Sequence, residues 1–161
     1  MTVFTSLYDY WAACPALQLT PFSWQELPNL GPAYCLAPLT EEEAGAAQPA
    51  AAATTLLRRY ADGGALYQAA FLLAYRAAAT ESPYPPDWLA QEYFAPLLQW
   101  QALESALGRL PALGLWGQSQ SLQWTGPAYL AQGASGQAAA RYEIPGLFLY
   151  YQNPLQSTRR L

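Results

Sequence analysis

The sequence predicts an α+β fold, an antiparallel-rich β-sheet with one or two helices packed on one face. Three observations point there. Two apolar-rich segments, 56–61 and 66–77, flank Asp62-Gly63-Gly64, and glycine supplies the positive φ that a tight hairpin needs. A second pair, 119–130 and 138–151, flanks the small-residue turn Gln132-Gly133-Ala134-Ser135-Gly136. Between the pairs, 91–107 reads as a helix ended by Gly108 and Pro111. At 161 residues a single domain over 1–152 is expected, with 153–161 as a flexible C-terminal arm. A chain of this size buries about 70% of its unfolded surface, enough for its own core.

Residues 2–13 predict an amphipathic helix. Thr2 is placed to cap it, Val3, Phe4, Leu7, Tyr8 and Trp11 recur at helical spacing, and Pro15 ends it. Residues 16–32 are rich in Pro, Asn and Gly and suit short extended pieces, one of them around Ser23, Trp24 and Gln25. Residues 33–36 read as a short strand. Residues 40–55 are of low complexity and read as a mobile loop insertion, with a helix after Pro49 as the alternative. The triplet Glu41-Glu42-Glu43 reads as a solvated face, because three adjacent carboxylates cannot converge on one ion.

The run 66–77 is apolar nearly throughout, which suits a central strand but equally a helix. Pro83, Pro85 and Pro86 make a stiff loop. In the helix that follows, Pro96 fits only the first turn, so regular helix is expected to start near Tyr93. Leu97, Trp100 and Leu107 form its apolar stripe, while Gln99, Gln101, Glu104 and Ser105 lie off it. In the final strand Tyr142, Ile144, Phe148 and Tyr150 share one face. Arg141, Glu143, Leu147, Leu149 and Tyr151 share the other, so both faces are substantially apolar. Pro145 predicts an edge strand or a bulge.

Composition narrows the function classes. Charged residues make up 11% of the chain, against about 25% in an ordinary domain. A surface so poor in charge suits being covered by neighbours. There is no His, so the usual general base near neutral pH is missing. All basic residues are Arg, which removes Schiff-base chemistry and a phosphate-loop lysine. The net charge of −4 argues against nucleic-acid binding. Carboxylates such as Asp87 and Glu92, or Glu104 and Glu143, form no recognisable acid–base pattern. Gly133 to Gly136 opens no helix and so cradles no phosphate. Cys14 and Cys35 match no zinc or redox spacing and read as buried small apolar residues, though a disulfide between them is geometrically allowed. No catalytic residue, cofactor or metal is expected. Asp9 interrupts the apolar start of the chain, which lacks the pattern of a secretory signal, and no uninterrupted apolar run reaches membrane-spanning length. Synthesis and use in the cytoplasm of the producing cell are expected.

A collinear series of short patterns carries one further reading. It comprises Tyr60-Ala61-Asp62-Gly63-Gly64, the run 66–76, Phe94-Ala95-Pro96-Leu97-Leu98-Gln99-Trp100, Gly108-Arg109-Leu110-Pro111-Ala112-Leu113, Ala140-Arg141-Tyr142-Glu143-Ile144, and the run 147–151 before Gln152. In this order and at these gaps they resemble a family of small virion proteins of tailed bacteriophages, minor capsid or tail proteins similar to tail terminators. The resemblance implies that 66–77 is a strand and that the fold is tail-terminator-like. It implies a ring of copies of the chain, expected to be a hexamer, that caps the major tail tube protein and joins it to the head–tail connector and neck proteins. DNA would pass through the lumen without specific binding, and eleven carboxylates could keep that lumen acidic. The expected location is the virion, after assembly in the host bacterial cytoplasm. Expected subunit or partner contacts are Asp62, Gly63, Tyr67, Tyr75, Trp88, Tyr142, Phe148, Tyr150, Tyr151, Arg159 and Arg160. Six Trp and twelve Tyr serve both core packing and such contacts. The alternatives are another neck component, either a head-completion or an adaptor protein, and, from a different class, a small-ligand-binding domain with an aromatic pocket.

Overall fold

The computed structural model describes residues 2–27, 31–39, 53–77, 87–132 and 139–154. The fold is α+β, with a mostly antiparallel seven-stranded sheet. Its elements are α1 (Val3–Ala12), α2 (Pro15–Gln18), β1 (Phe22–Trp24), β2 (Ala33–Pro38), β3 (Thr54–Arg59), β4 (Ala65–Arg76), α3 (Leu89–Ala106), a single 3₁₀ turn (Gly114–Trp116), β5 (Gly117–Trp124), β6 (Tyr129–Gln132) and β7 (Arg141–Gln152).

Two strands of twelve residues, β4 and β7, form the centre. They pair antiparallel in unbroken register from Ala65 opposite Gln152 to Arg76 opposite Arg141. The outer side of each is covered by an interrupted strand. Along β4, β2 covers residues 71–76 and β3 covers 65–69. They meet at Ala70, whose carbonyl accepts from Leu39 N–H and whose N–H donates to Ala53 O, both at 2.9 Å. Along β7, β5 covers 146–152 and β6 covers 141–143. β1 adds a parallel edge to β2. The run 66–77 is therefore the central strand that the resemblance implied.

β7 is an interior strand and has no bulge against β4, but Pro145 lies in the gap between β5 and β6, so it sits at a local edge. Its carbonyl accepts from Thr125 N–H at 3.1 Å, on the side facing β5. A backbone N–H would point the same way and return a bond to Thr125, but proline has none. β5 ends one residue earlier, at Trp124, and pairing resumes with β6. The proline interrupts the neighbouring strand and leaves its own intact. The segment expected as one strand over 119–130 is split here, where it also carries Gly126 and Pro127.

Both long helices lie on one face. Odd residues of β4 and even residues of β7 point to them. α1 sends Trp11 against Phe71 and Trp124, with ring centroids 6.5 and 5.5 Å away. α3 sends Phe94 to Tyr34 and Tyr93 to Tyr75 and Tyr142. Thr2 caps α1 as predicted, its Oγ1 accepting from Thr5 N–H at 3.2 Å, a contact worth roughly 1 kcal/mol. Pro15 does end α1, but it also opens α2, a turn that buries Leu17. Proline is well suited to a first helical position.

Three expectations for α3 need correction. Helix begins at Leu89, which leaves Pro96 in the interior. Both Pro96 and Glu92, the residue whose carbonyl loses its donor, are exposed, so water can take the bond. The buried stripe is Ala90, Phe94, Leu97 and Gln101, and Leu107 is exposed. Gln101 is inside because its Nε2 donates to Ser105 Oγ at 2.7 Å and to the Leu122 carbonyl at 3.3 Å. Gly108, at φ +76°, ends the helix, with Arg109 N–H reaching Glu104 O and Gly108 N–H reaching Ser105 O.

The loop expected over 40–55 ends earlier, because β3 begins at Thr54; residues 40–52 lie outside the described residues. So do the prolines at 83, 85 and 86 and the turn at 133–136. The arm expected over 153–161 is anchored at its start. Asn153 N–H donates to Trp116 O at 2.8 Å and its Nδ2 to Leu115 O at 2.7 Å. Cys14 and Cys35 are both buried and free.

Gly146 is the tightest point of the centre. It faces Phe71 across the β4–β7 pair, and a Cβ there would lie 2.8 and 2.9 Å from ring atoms Cε1 and Cε2. Phe71 has no accessible surface and cannot swing away. Gly146→Ala is expected to cost about 1–3 kcal/mol by overpacking. Chemical denaturation will measure it, and adding Phe71→Leu should recover part of the loss.

Candidate assembly surface

The sheet has two outer edges of different chemistry. One is β3, which pairs only with β4 among the described residues. Its sequence Thr-Thr-Leu-Leu-Arg-Arg does not alternate, and all but Thr54 is exposed. Leu56 and Leu57 keep 44% and 47% of their surface in solvent, and Tyr60 follows at 38%. A register shift between Leu56 and Arg58 twists the strand here. Arg58 and Arg59 have no acidic partner among the described residues. The other described arginines are engaged: Arg109 with Glu104, Arg141 with Glu143, and Arg76 with the Gly31 carbonyl.

The opposite edge is β5. It is polar and uncharged, with Gln118, Gln120 and Gln123 exposed. Gln101 reaches its outward carbonyl at Leu122, so α3 partly closes this edge. Before β5, residues 110–114 run past α1, and Ser119 Oγ holds the Pro111 carbonyl. A groove of about 440 Å³ opens there, lined by Ser6, Asp9, Tyr10, Leu110, Ala112 and Gly114. Asp9 is exposed within it and has no ion-pair partner among the described residues.

The β3–β4 turn is built as the sequence implied. Gly64 N–H donates to Asp62 Oδ1 at 2.8 Å, and Tyr151 Oη donates to Asp62 Oδ2 at 3.3 Å. Tyr60 packs on Tyr151 with centroids 5.6 Å apart. A side chain at Gly64 would overlap the Tyr151 phenol, so the ring lies over the turn in this position because Gly64 carries no side chain.

The structure separates the predicted contact residues into groups. Asp62, Gly63 and Tyr151 come together at this tip. Tyr67 stacks on Tyr150, and Tyr150 on Phe148, beneath the helices. Tyr75 lies at the far end, against Tyr34 and Tyr93. Trp88 stands alone at the start of α3, 60% exposed. Tyr142 and Phe148 have no accessible surface and Tyr150 keeps 5%, which makes them core residues of this chain. Even positions of β7 face the helices, and that cover withdraws them from any partner. Arg159 and Arg160 lie outside the described residues. Sequence reasoning did not single out Leu56, Leu57, Arg58, Arg59 or Asp9. The absence of alternation in β3 was the available signal, since a strand with one buried face would alternate.

Among the described residues no cluster of His, Cys, Asp or Glu could hold a metal ion, and no helix is long and apolar enough to cross a membrane. A second groove, of about 410 Å³, lies between α1 and β1 and is lined by Thr2, Phe4, Thr5, Tyr8 and Trp24. No family model matches the chain, and neither the curated proteins nor the solved structures contain a match.

Two phenols withdrawn from water, Tyr10 half-buried and Tyr150 buried, make stability depend on pH at the alkaline end. Burial, with smaller help from Glu104 and Cys14, pushes Tyr10 up to about 12, and burial beside Tyr67 does the same for Tyr150. Both would titrate at 10.0 when unfolded. Above that pH the unfolded chain sheds protons that the folded chain keeps, so stability falls as pH rises. The contribution is complete below pH 10 and is lost as pH climbs to about 12. Urea midpoints are expected to be level up to about pH 9, short of the ordinary tyrosine range, and to drop above it. A midpoint that holds at pH 12 would contradict the buried state of these phenols.

Proposed function

We propose that this chain is a virion structural protein of a tailed phage, a tail terminator that forms a ring, caps the tail tube and joins it to the head–tail connector. The observation that carries this reading is the combination of a charge-poor chain with two dissimilar open sheet edges. One edge exposes adjacent leucines, and the other presents uncharged glutamines. The collinear patterns from Tyr60 to Gln152 support it independently. Such a protein works by surface complementarity. Its faces meet the last tube ring on one side and the neck on the other, and no bond is made or broken. A head-completion or adaptor protein shares these features and differs only in which neighbours it meets.

The aromatic groove lined by Phe4, Tyr8 and Trp24 is the observation that favours the small-ligand reading. That reading needs only a monomer, whereas the assembly reading places the chain in the particle.

Deleting the gene in the phage or prophage that encodes it, followed by electron microscopy of the particles, tests the proposal. A tube without its terminator has nothing to stop subunit addition. The expected result is tails of uncontrolled length detached from filled heads, with gold-labelled antibody marking the head–tail junction of wild-type particles. Normal, infectious particles in the deletion strain would overturn the reading.

A further inference from the structure

We infer that copies of this chain associate head to tail, with the β3 ridge of one copy seated in the Asp9 groove of the next. The inference deepens the assembly reading and rests on it. The ridge offers Leu56 and Leu57 beside two arginines that lack acidic partners among the described residues. The groove offers Leu110 and Ala112 beside Asp9, a carboxylate without an ion-pair partner among the same residues. Apolar and charged groups thus match in kind.

The position of the two surfaces matters as much as their chemistry. β3 lies at a margin of the sheet, outside β4, and the groove lies between α1 and residues 110–114, so they are different surfaces of the chain. A contact between two different surfaces is heterologous, and a heterologous contact that closes on itself generates a ring. The alternative use of β3 is antiparallel pairing with its own copy about a twofold axis, which over the whole strand sets Arg58 and Arg59 opposite Thr55 and Thr54 and gives them no carboxylate. The groove supplies one in Asp9, and this favours the ring-forming contact over a closed dimer.

Sedimentation velocity over a concentration series, on the full chain, reads the contact. Asp9→Arg and the double variant Arg58→Glu with Arg59→Glu each should weaken self-association by about tenfold or more, because each places like charges in contact. Combining all three changes in one chain should restore it. Mixing the two defective proteins should restore assembly into larger species in which the two variants alternate, since each ridge then meets a groove of opposite charge only in the other variant. All these side chains are exposed, and circular dichroism will confirm that the variants fold. Unchanged association in the charge-swapped variants overturns the inference, as does a wild-type protein that remains monomeric at the highest concentration. Particle morphology in the deletion strain is a separate readout, so this contact and the virion role can fail independently.

Discussion

Every element of this fold is placed by the pairing of β4 with β7. The two strands share twelve residue pairs without a register shift, and each carries large apolar side chains on the helix-facing side. Close approach is needed where Phe71 must lie flat between the strands and the helices. Gly146 provides it, because the position opposite the ring carries no side chain. Trp11 of α1 then packs against Phe71 and Trp124, and Trp100 of α3 packs against Trp11. The core is a chain of aromatic contacts that starts at one glycine.

The outer strands obey a different rule. Each is interrupted, and each interruption has a local chemical cause. On the β4 side, Ala70 bonds both Leu39 and Ala53, so a single residue of the central strand holds the departing and the returning chain. On the β7 side, Pro145 cannot return the bond it accepts from Thr125, and β5 leaves there. In both places extra chain departs from an edge while the central ladder stays intact. Such a sheet can carry insertions at its margins at little energetic cost, since loop closure depends only weakly on length.

This division explains what the sequence made legible. The period of two in residues 142–150, the Thr2 cap and the Gly108 stop are local signals, and local structure obeys them. Pro96 was misplaced, and the gap beside Pro145 was not foreseen in detail, because a proline's tolerance depends on what stands opposite its missing N–H. That is the carbonyl of the exposed Glu92 for Pro96 and an ending strand for Pro145, and neither exposure nor strand end is written nearby in the chain. Gln101 reads as polar and is buried, because its partner carbonyl at Leu122 belongs to another element. The predicted contact residues fared unevenly for the same reason. Aromatic residues suit cores and interfaces alike, and only the placement of the helices sends Tyr142, Phe148 and Tyr150 inward while leaving Tyr151 and Trp88 partly or largely in solvent.

In the proposed contact between copies, the energetics of the β3 ridge would separate what holds them together from what orients them. Exposed ion pairs contribute at most about 1 kcal/mol each. Full burial of a leucine contributes roughly 1.5–3 kcal/mol, and Leu56 and Leu57 already stand nearly half exposed, so only part of that remains to be gained on docking. Two half-gained leucines still outweigh one screened ion pair. In that proposed contact the leucines and the walls of the groove would therefore supply most of the attraction, and Arg58, Arg59 and Asp9 would select which surface meets which. On a chain this poor in charge, a few formal charges can act as address labels, because almost no others compete with them.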